Sequence, residues 1–201
     1  MNRPITIVDY KAGNLASVRK ALAHLGHDST VTEDPEEVRR AERIVLPGVG
    51  HFAAVERLQK LGLKDAIGER LVAGIPFLGI CVGMQWLYEG STEAPEVAGL
   101  GVLRGMVSRF ECDLKIPHVG WNTIEPTSDA RILRGVPKGG FVYYTHSYRG
   151  PVVEGVVATS SYGETFAAVV ERDNVFGVQF HPEKSSTVGL QILKNFCEVA
   201  L

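Results

Sequence analysis

The chain has 201 residues, of which 45% are apolar, enough to fill one substantial core, and it reads as a single domain spanning 1–201. A formal net charge of -2, with 21 Lys and Arg scattered among 23 Asp and Glu, leaves no basic stripe for a phosphate backbone, so no nucleic-acid partner is expected. No stretch approaches the ~18 apolar residues of a membrane span, and the three cysteines, Cys81, Cys112 and Cys197, are too far apart for a disulfide framework or a paired-cysteine zinc site; a cytoplasmic protein with free thiols, no membrane contact, no metal and no cofactor is expected.

In chain order, the first half alternates short apolar runs with helical patterns. ITIVD (5–9) is followed by a helix from Asn14 to Leu25, RIVLP (43–47) by helical text over 51–73, and IPFLGI (75–80) by a further helix. Such alternation predicts parallel strands joined by helical crossovers, an α/β fold. Leu15, Val18, Leu22 and Leu25 recur at spacings of three and four, which puts an apolar stripe on one face of the first helix.

The second half changes character. GVLRGMVSRF, HVGWNTIE, GFVYYTHSY, VVATSSY, TFAAVVERD and NVFGVQF are strand-like runs separated by Gly, Pro, Asp or Asn turns, and predict a mixed or antiparallel region. A last helix from Ser186 to Val199 carries Leu190, Leu193, Phe196 and Cys197 on its apolar side, with Ser185 or Ser186 as N-cap.

The stretch IPFLGICVGMQ has the form of a nucleophile elbow. Gly79 and Gly83 stand two residues before and after Cys81, where small residues let strand and helix approach closely around a strained nucleophile. A thiol there projects from the carboxyl end of the sheet, and the following helix start favours an anion. The alternative reading, that Cys81 is a small buried apolar residue, holds for an arbitrary cysteine but does not explain the two glycines.

A thiolate cannot protonate a leaving amine, so a histidine oriented by a third group is required. His24 and His27 flank a helix end and read as solvated, His51 reads as a helix cap, and His118 and His146 fall in strand text. His181 ends an apolar strand and opens H-P-E-K-S. In an extended segment residues two apart share a side, so Glu183 reaches the His181 ring. The loop PGVG (47–50) follows another parallel strand, and its glycines allow main-chain N–H groups of Val49 and Gly50 to turn toward an oxyanion beside the N–H of Val82; a plain tight turn explains that loop equally well.

With P-G-V-G, G-I-C-V-G-M-Q and H-P-E-K-S in this order, the chain resembles the class I glutamine amidotransferases, over its whole length. IVDYKAGNLASV at the start, P-H-V-G-W-N (117–122) and T-H-S-Y (145–148) are similar to the branch formed by glutaminase subunits of imidazole glycerol phosphate synthases. The resemblance implies a flavodoxin-like fold, a mostly parallel sheet flanked by helices with an additional antiparallel strand region, and a Cys81–His181–Glu183 triad that hydrolyses L-glutamine. It further implies that Gln85, Glu93 and the main chain at Ser147 and Tyr148 hold the substrate. A noncovalent (β/α)8 barrel cyclase partner, met by Asn14, His118, Trp121, Asn122 and Lys184, would consume the ammonia; His118 and Trp121 read equally well as strand core. Two rivals remain open at this stage. A glutaminase of anthranilate or aminodeoxychorismate synthesis would share the triad but not the G-W-N hairpin, and a catalytically silent α/β module would not be labelled at Cys81 by a glutamine-mimicking electrophile.

Overall fold

The computed structural model describes residues 4–200; the ends of the expected domain, 1–3 and 201, lie outside the described residues. Three runs in the first half are buried at every position: β1 (Ile5–Val8), β3 (Ile44–Gly48) and β4 (Phe77–Cys81). A strand apolar on both faces needs cover on both, which is the condition of a parallel sheet between helices. The edge strand β2 (Ser29–Thr32) pairs in parallel with β1 and is only partly covered. Its STVT text has neither length nor a hydrophobic run, and the sequence reading did not anticipate it.

The helices follow their local signals. α1 (Leu15–His24) buries Val18, Ala21 and Leu22, while Leu15 and Leu25 are half-buried at the rim. α2 (Pro35–Arg39) starts at Asp34, whose carboxylate accepts the Glu36 N–H at 2.9 Å, with Pro35 at the first helical position. The helical text of 51–73 is not one helix. His51 caps a 3₁₀ turn over Phe52–Val55 by accepting the Ala53 N–H at 3.1 Å, α3 covers Glu56–Lys60, and α4 (Leu63–Val72) begins after Gly62, whose φ of 71° no helix continues through. α5 (Val82–Gln85) is one short turn.

Beyond α5 come β5 (Gly90–Ser91), β6 (Met106–Arg109), β7 (His118–Pro126), β8 (Gly140–His146), β9 (Tyr148–Arg149), β10 (Val156–Tyr162), β11 (Glu164–Arg172) and β12 (Val175–Val178). β12 lies parallel to β4 and joins the halves into one nine-stranded sheet, ordered β2-β1-β3-β4-β12-β11-β10-β7-β8. From β12 outward every pairing is antiparallel, as the change in text predicted. β5, β6 and β9 form a small separate sheet. The last helix, α6 (Ser186–Cys197), buries Leu193, Phe196 and Cys197, with Leu190 half-buried. Ser185 holds its N-cap position but caps nothing: its Oγ donates to the carbonyl of His181 at 2.6 Å and accepts the N–H of Tyr143 at 2.9 Å. No helix of the described residues is long and apolar enough to cross a membrane.

The register decides where chemistry can be placed. Gly48 stands opposite Cys81, and Val178 opposite Ile80, so the carboxyl ends of β3, β4 and β12 finish side by side. Ligand sites in such sheets lie outside those ends.

Candidate active site

Cys81 is the last residue of β4 and has φ 54° and ψ -109°, a left-handed backbone that a side chain adopts only under constraint. The constraint is the contact between strand and helix. A Cβ at Gly79 would collide with the main chain of Gly83, and one at Gly83 with the carbonyl oxygen of Leu46. α5 can therefore press directly on β3 and β4, and the turn has no room except with Cys81 raised above it.

His181 is 2% exposed, and its main-chain N–H donates to the carbonyl of Tyr143 in β8 at 2.9 Å. Its Nδ1 lies 3.1 Å from Oε1 of Glu183, whose side chain is 1% exposed. The two meet, but not by extended alternation: β12 ends at Val178, and Pro182–Lys184 form a 3₁₀ turn that folds the carboxylate back under the ring. Asn14 Nδ2 approaches the same Oε1 at 3.5 Å. Nε2 of His181 makes no hydrogen bond among the described residues, leaving it available toward Cys81. Burial alone would push the imidazolium down, but hydrogen bonding toward Cys81 and Glu183, and then the charge of each, outweighs it and pushes the pKa up to about 10. The ring is thus disposed to hold a proton between a sulfur and a carboxylate.

Sequence reasoning missed Gln179. Its Nε2 donates to Cys81 Sγ at 3.7 Å, and its Oε1 accepts from Gln85 Nε2 at 3.1 Å; the same Gln85 nitrogen donates to the Tyr148 carbonyl at 3.0 Å. The available signal was a fully buried amide inside the apolar run VFGVQF, since such a group must find partners.

A cleft of about 290 Å³ opens over Cys81 and His181, and Gln85, Glu93, Ser147 and Tyr148 all line it, with Val49, Gly50 and Val82 on one side. Glu93 also supports that side by accepting the Phe52 N–H at 2.7 Å. Val49 does not present its N–H to the cleft in this structure. Its N–H donates to the carbonyl of Ala12 at 2.7 Å, so it is turned away from Cys81. Gly50 has φ 88°, which glycine adopts without strain.

Of the residues expected to meet a partner, Trp121 is 53% exposed, and Lys184 is exposed with Nζ 5.9 Å from the ring centre of Tyr143. Trp121 pairs across β7 and β8 with Tyr143, and exposed Val119 and Phe141 extend the patch. Asn122 spans the sheet by donating to the Ser161 carbonyl at 2.9 Å. His118 does not belong to this surface. Only 3% exposed, it stacks on Tyr144 at 4.8 Å and Tyr162 at 4.0 Å, because β7 alternates faces and His118 points inward. Its Nδ1 lies 3.1 Å from Nε2 of His146, whose Nδ1 lies 2.8 Å from the Tyr148 carbonyl.

Burial pushes His118 down to about 4 and, with added repulsion from His118 and His181, His146 down to about 3. Both values lie below the unfolded value near 6.5, so the unfolded chain binds more protons in acid. This stability is fully present above pH ~6.5 and is lost as pH falls through the folded values. His181, shifted the other way, is protonated in the folded state throughout and in the unfolded state below about pH 5.5, so it adds no slope in the lower part of that window. Urea titrations between pH 6.5 and 4 should show unfolding free energy falling by up to about 1.4 kcal/mol per pH unit for each ring. His118→Gln should flatten the profile; an unchanged slope would contradict a neutral buried ring.

Cys112 is half-buried, and Cys197 is buried, which pushes its thiol up to about 12. Neither faces the cleft.

A family model described as glutamine amidotransferase class-I matches residues 6–200. The chain is 50% identical over 200 residues to an imidazole glycerol phosphate synthase subunit HisH of Moorella thermoacetica, covering 98% of this chain and 95% of that protein. It is 49% identical over 202 residues to the subunit of the same name from Salinibacter ruber, covering 95% and 92%. In fold it is similar to a crystal structure of a glutamine amidotransferase, with a TM-score of 0.76 and 21% identity over 96% of this chain and 97% of that one.

Proposed function

The chain belongs to the class I glutamine amidotransferases and to their imidazole glycerol phosphate synthase subunit branch, and from that membership we propose that residues 1–201 act as one cytoplasmic glutaminase domain whose triad is Cys81, His181 and Glu183. It hydrolyses glutamine to glutamate and ammonia and passes the ammonia to a cyclase subunit, a (β/α)8 barrel, which uses it to form imidazole glycerol phosphate and an aminoimidazole carboxamide ribotide in histidine biosynthesis. Glutamine lies in the cleft against Gln85, Glu93 and the main chain of Ser147 and Tyr148. The cyclase meets the face of Trp121 and Lys184, with Asn14 and Asn122 at its margins.

In the first step the Cys81 thiolate attacks the side-chain amide carbon, and the negative oxygen is received by the N–H of Val82 and by the Val49–Gly50 loop. The carbon–nitrogen bond breaks as protonated His181 gives its proton to the departing ammonia, leaving a γ-glutamyl thioester. His181, now neutral, takes a proton from water, whose oxygen attacks the thioester carbon; glutamate leaves and the thiolate returns. Glu183 holds the ring through Nδ1 and stabilises its charge without exchanging a proton with substrate. The observation that carries the reading is His181 itself, with one nitrogen held by a buried carboxylate and the other free beside the sulfur. The same asymmetry speaks against a silent module, in which a buried nitrogen without a partner would be a cost with no return.

Steady-state glutamate release by the complex tests the assignment. His181→Ala should lower kcat by about 10⁴-fold or more, and Glu183→Gln by a factor smaller by roughly tenfold, since the carboxylate acts only through the ring. An undiminished rate in Glu183→Gln would remove that residue from the triad.

A further inference from the structure

We propose that Tyr10 is a positioning residue for the oxyanion loop: its hydroxyl, unpartnered in this structure, donates to the carbonyl of Gly48 when the Gly48–Val49 peptide turns to aim the Val49 N–H at the reacting carbon. The inference rests on the glutaminase reading above and adds a residue to it.

Tyr10 follows β1, is 0% exposed, and its Oη has no hydrogen-bond partner among the described residues. A buried hydroxyl in that state is destabilising, and native structures seldom keep one without another use for it. The hydroxyl lies beside Gly48: a Cβ built there would collide with Tyr10 Oη as well as with Val82 Cβ and the Gly83 nitrogen, each at 2.8 Å. It is also close enough to Cys81 to feel the charge of that sulfur, and burial keeps the phenol protonated, a donor.

The planar peptide supplies the rest of the argument. Carbonyl and N–H of a trans unit point in opposite directions. With the Val49 N–H given to the Ala12 carbonyl, the Gly48 carbonyl points the opposite way, away from Ala12. Turning the peptide brings the N–H inward and sends the Gly48 carbonyl toward the 9–14 loop, where the Ala12 oxygen is an acceptor and cannot satisfy it. Tyr10, two residues before Ala12, is the donor beside that peptide. The same loop therefore holds an acceptor for the resting orientation and a donor for the turned one.

Tyr10→Phe removes one oxygen and keeps the ring. In the complex with the cyclase, saturated with imidazole glycerol phosphate, kcat for glutamine hydrolysis should fall about tenfold, equivalent to about 1.4 kcal/mol, with KM for glutamine unchanged. The isolated subunit should keep its own slow rate and melt at the same or a higher temperature, because the lost hydroxyl had no partner there. A variant complex as fast as the parent overturns the proposal. So does a parallel fall in both states with a lowered melting temperature, the signature of packing alone. A parent complex that hydrolyses no glutamine overturns the functional reading and this inference with it, whereas an active parent matched by the variant overturns the inference only.

Discussion

Cys81→Ser should bring glutamine hydrolysis by the complex below about 10⁻³ of the parent rate while leaving folding and partner binding intact. The hydroxyl occupies nearly the volume of the thiol, and the φ of 54° at this position is imposed by the contacts at Gly79 and Gly83 rather than by the side chain. The geometry of the elbow therefore survives the change. What is lost is the nucleophile: a hydroxyl is far less nucleophilic than sulfur and gives up its proton far less readily to the adjacent base. The exposed patch of Trp121 and Phe141 is carried by β7 and β8, not by the elbow. Glutamate release and co-elution with the cyclase in size-exclusion chromatography read the two halves of this expectation. Residual hydrolysis above a tenth of the parent rate would show that Cys81 is not the nucleophile.

The isolated chain should hydrolyse glutamine slowly, and the complex with cyclase and imidazole glycerol phosphate about 10² to 10³ times faster. The reason is the hydrogen bond from the Val49 N–H to the Ala12 carbonyl, which withholds one oxyanion donor from the cleft. Absence of a single such donor typically costs ~10² to 10³ in rate, the factor that turning it inward restores. The energy required of the partner is small. One hydrogen bond of net worth about 1 kcal/mol must be broken, and each tenfold shift in the equilibrium needs about 1.4 kcal/mol of differential binding. The lever is short as well, since Ala12 is two residues from Asn14, whose amide touches Glu183. Glutamate release measured for the chain alone, with cyclase, and with cyclase plus imidazole glycerol phosphate decides the matter. If the first equals the third, no gate exists, although the triad stands.

The parts of the site that could be read from the sequence are those with a local cause. Two glycines flanking a cysteine after an apolar strand describe a contact between neighbouring elements, and the parallel order of β1, β3 and β4 is written in the alternation of short apolar runs with helical text. The closeness of His181 and Glu183 was legible, but its reason was not: proline at 182 starts a 3₁₀ turn, and the ring and carboxylate meet across it. His118 shows the limit of alternation, because the period of two says that it faces opposite to Val119 but not which side is the core. Gln179 and the resting orientation of Val49 were harder still. The first gains its role only when β12 is laid beside β4, and the second is a choice between two directions of one peptide, to which no side chain in P-G-V-G is committed.

Gly48, Gly79 and Gly83 together also fix where this protein can vary. At each, a single methyl group would meet the Tyr10 hydroxyl or the main chain of a neighbouring element. Backbone cannot retreat as a flexible side chain does, so inherited change at these positions ends in loss of the elbow. The outer face of β7 and β8 is built the opposite way, from Val119, Trp121 and Phe141, whose side chains are each more than half exposed. Substitution on that outer face should therefore leave the elbow as it is, whereas substitution at the three glycines should not.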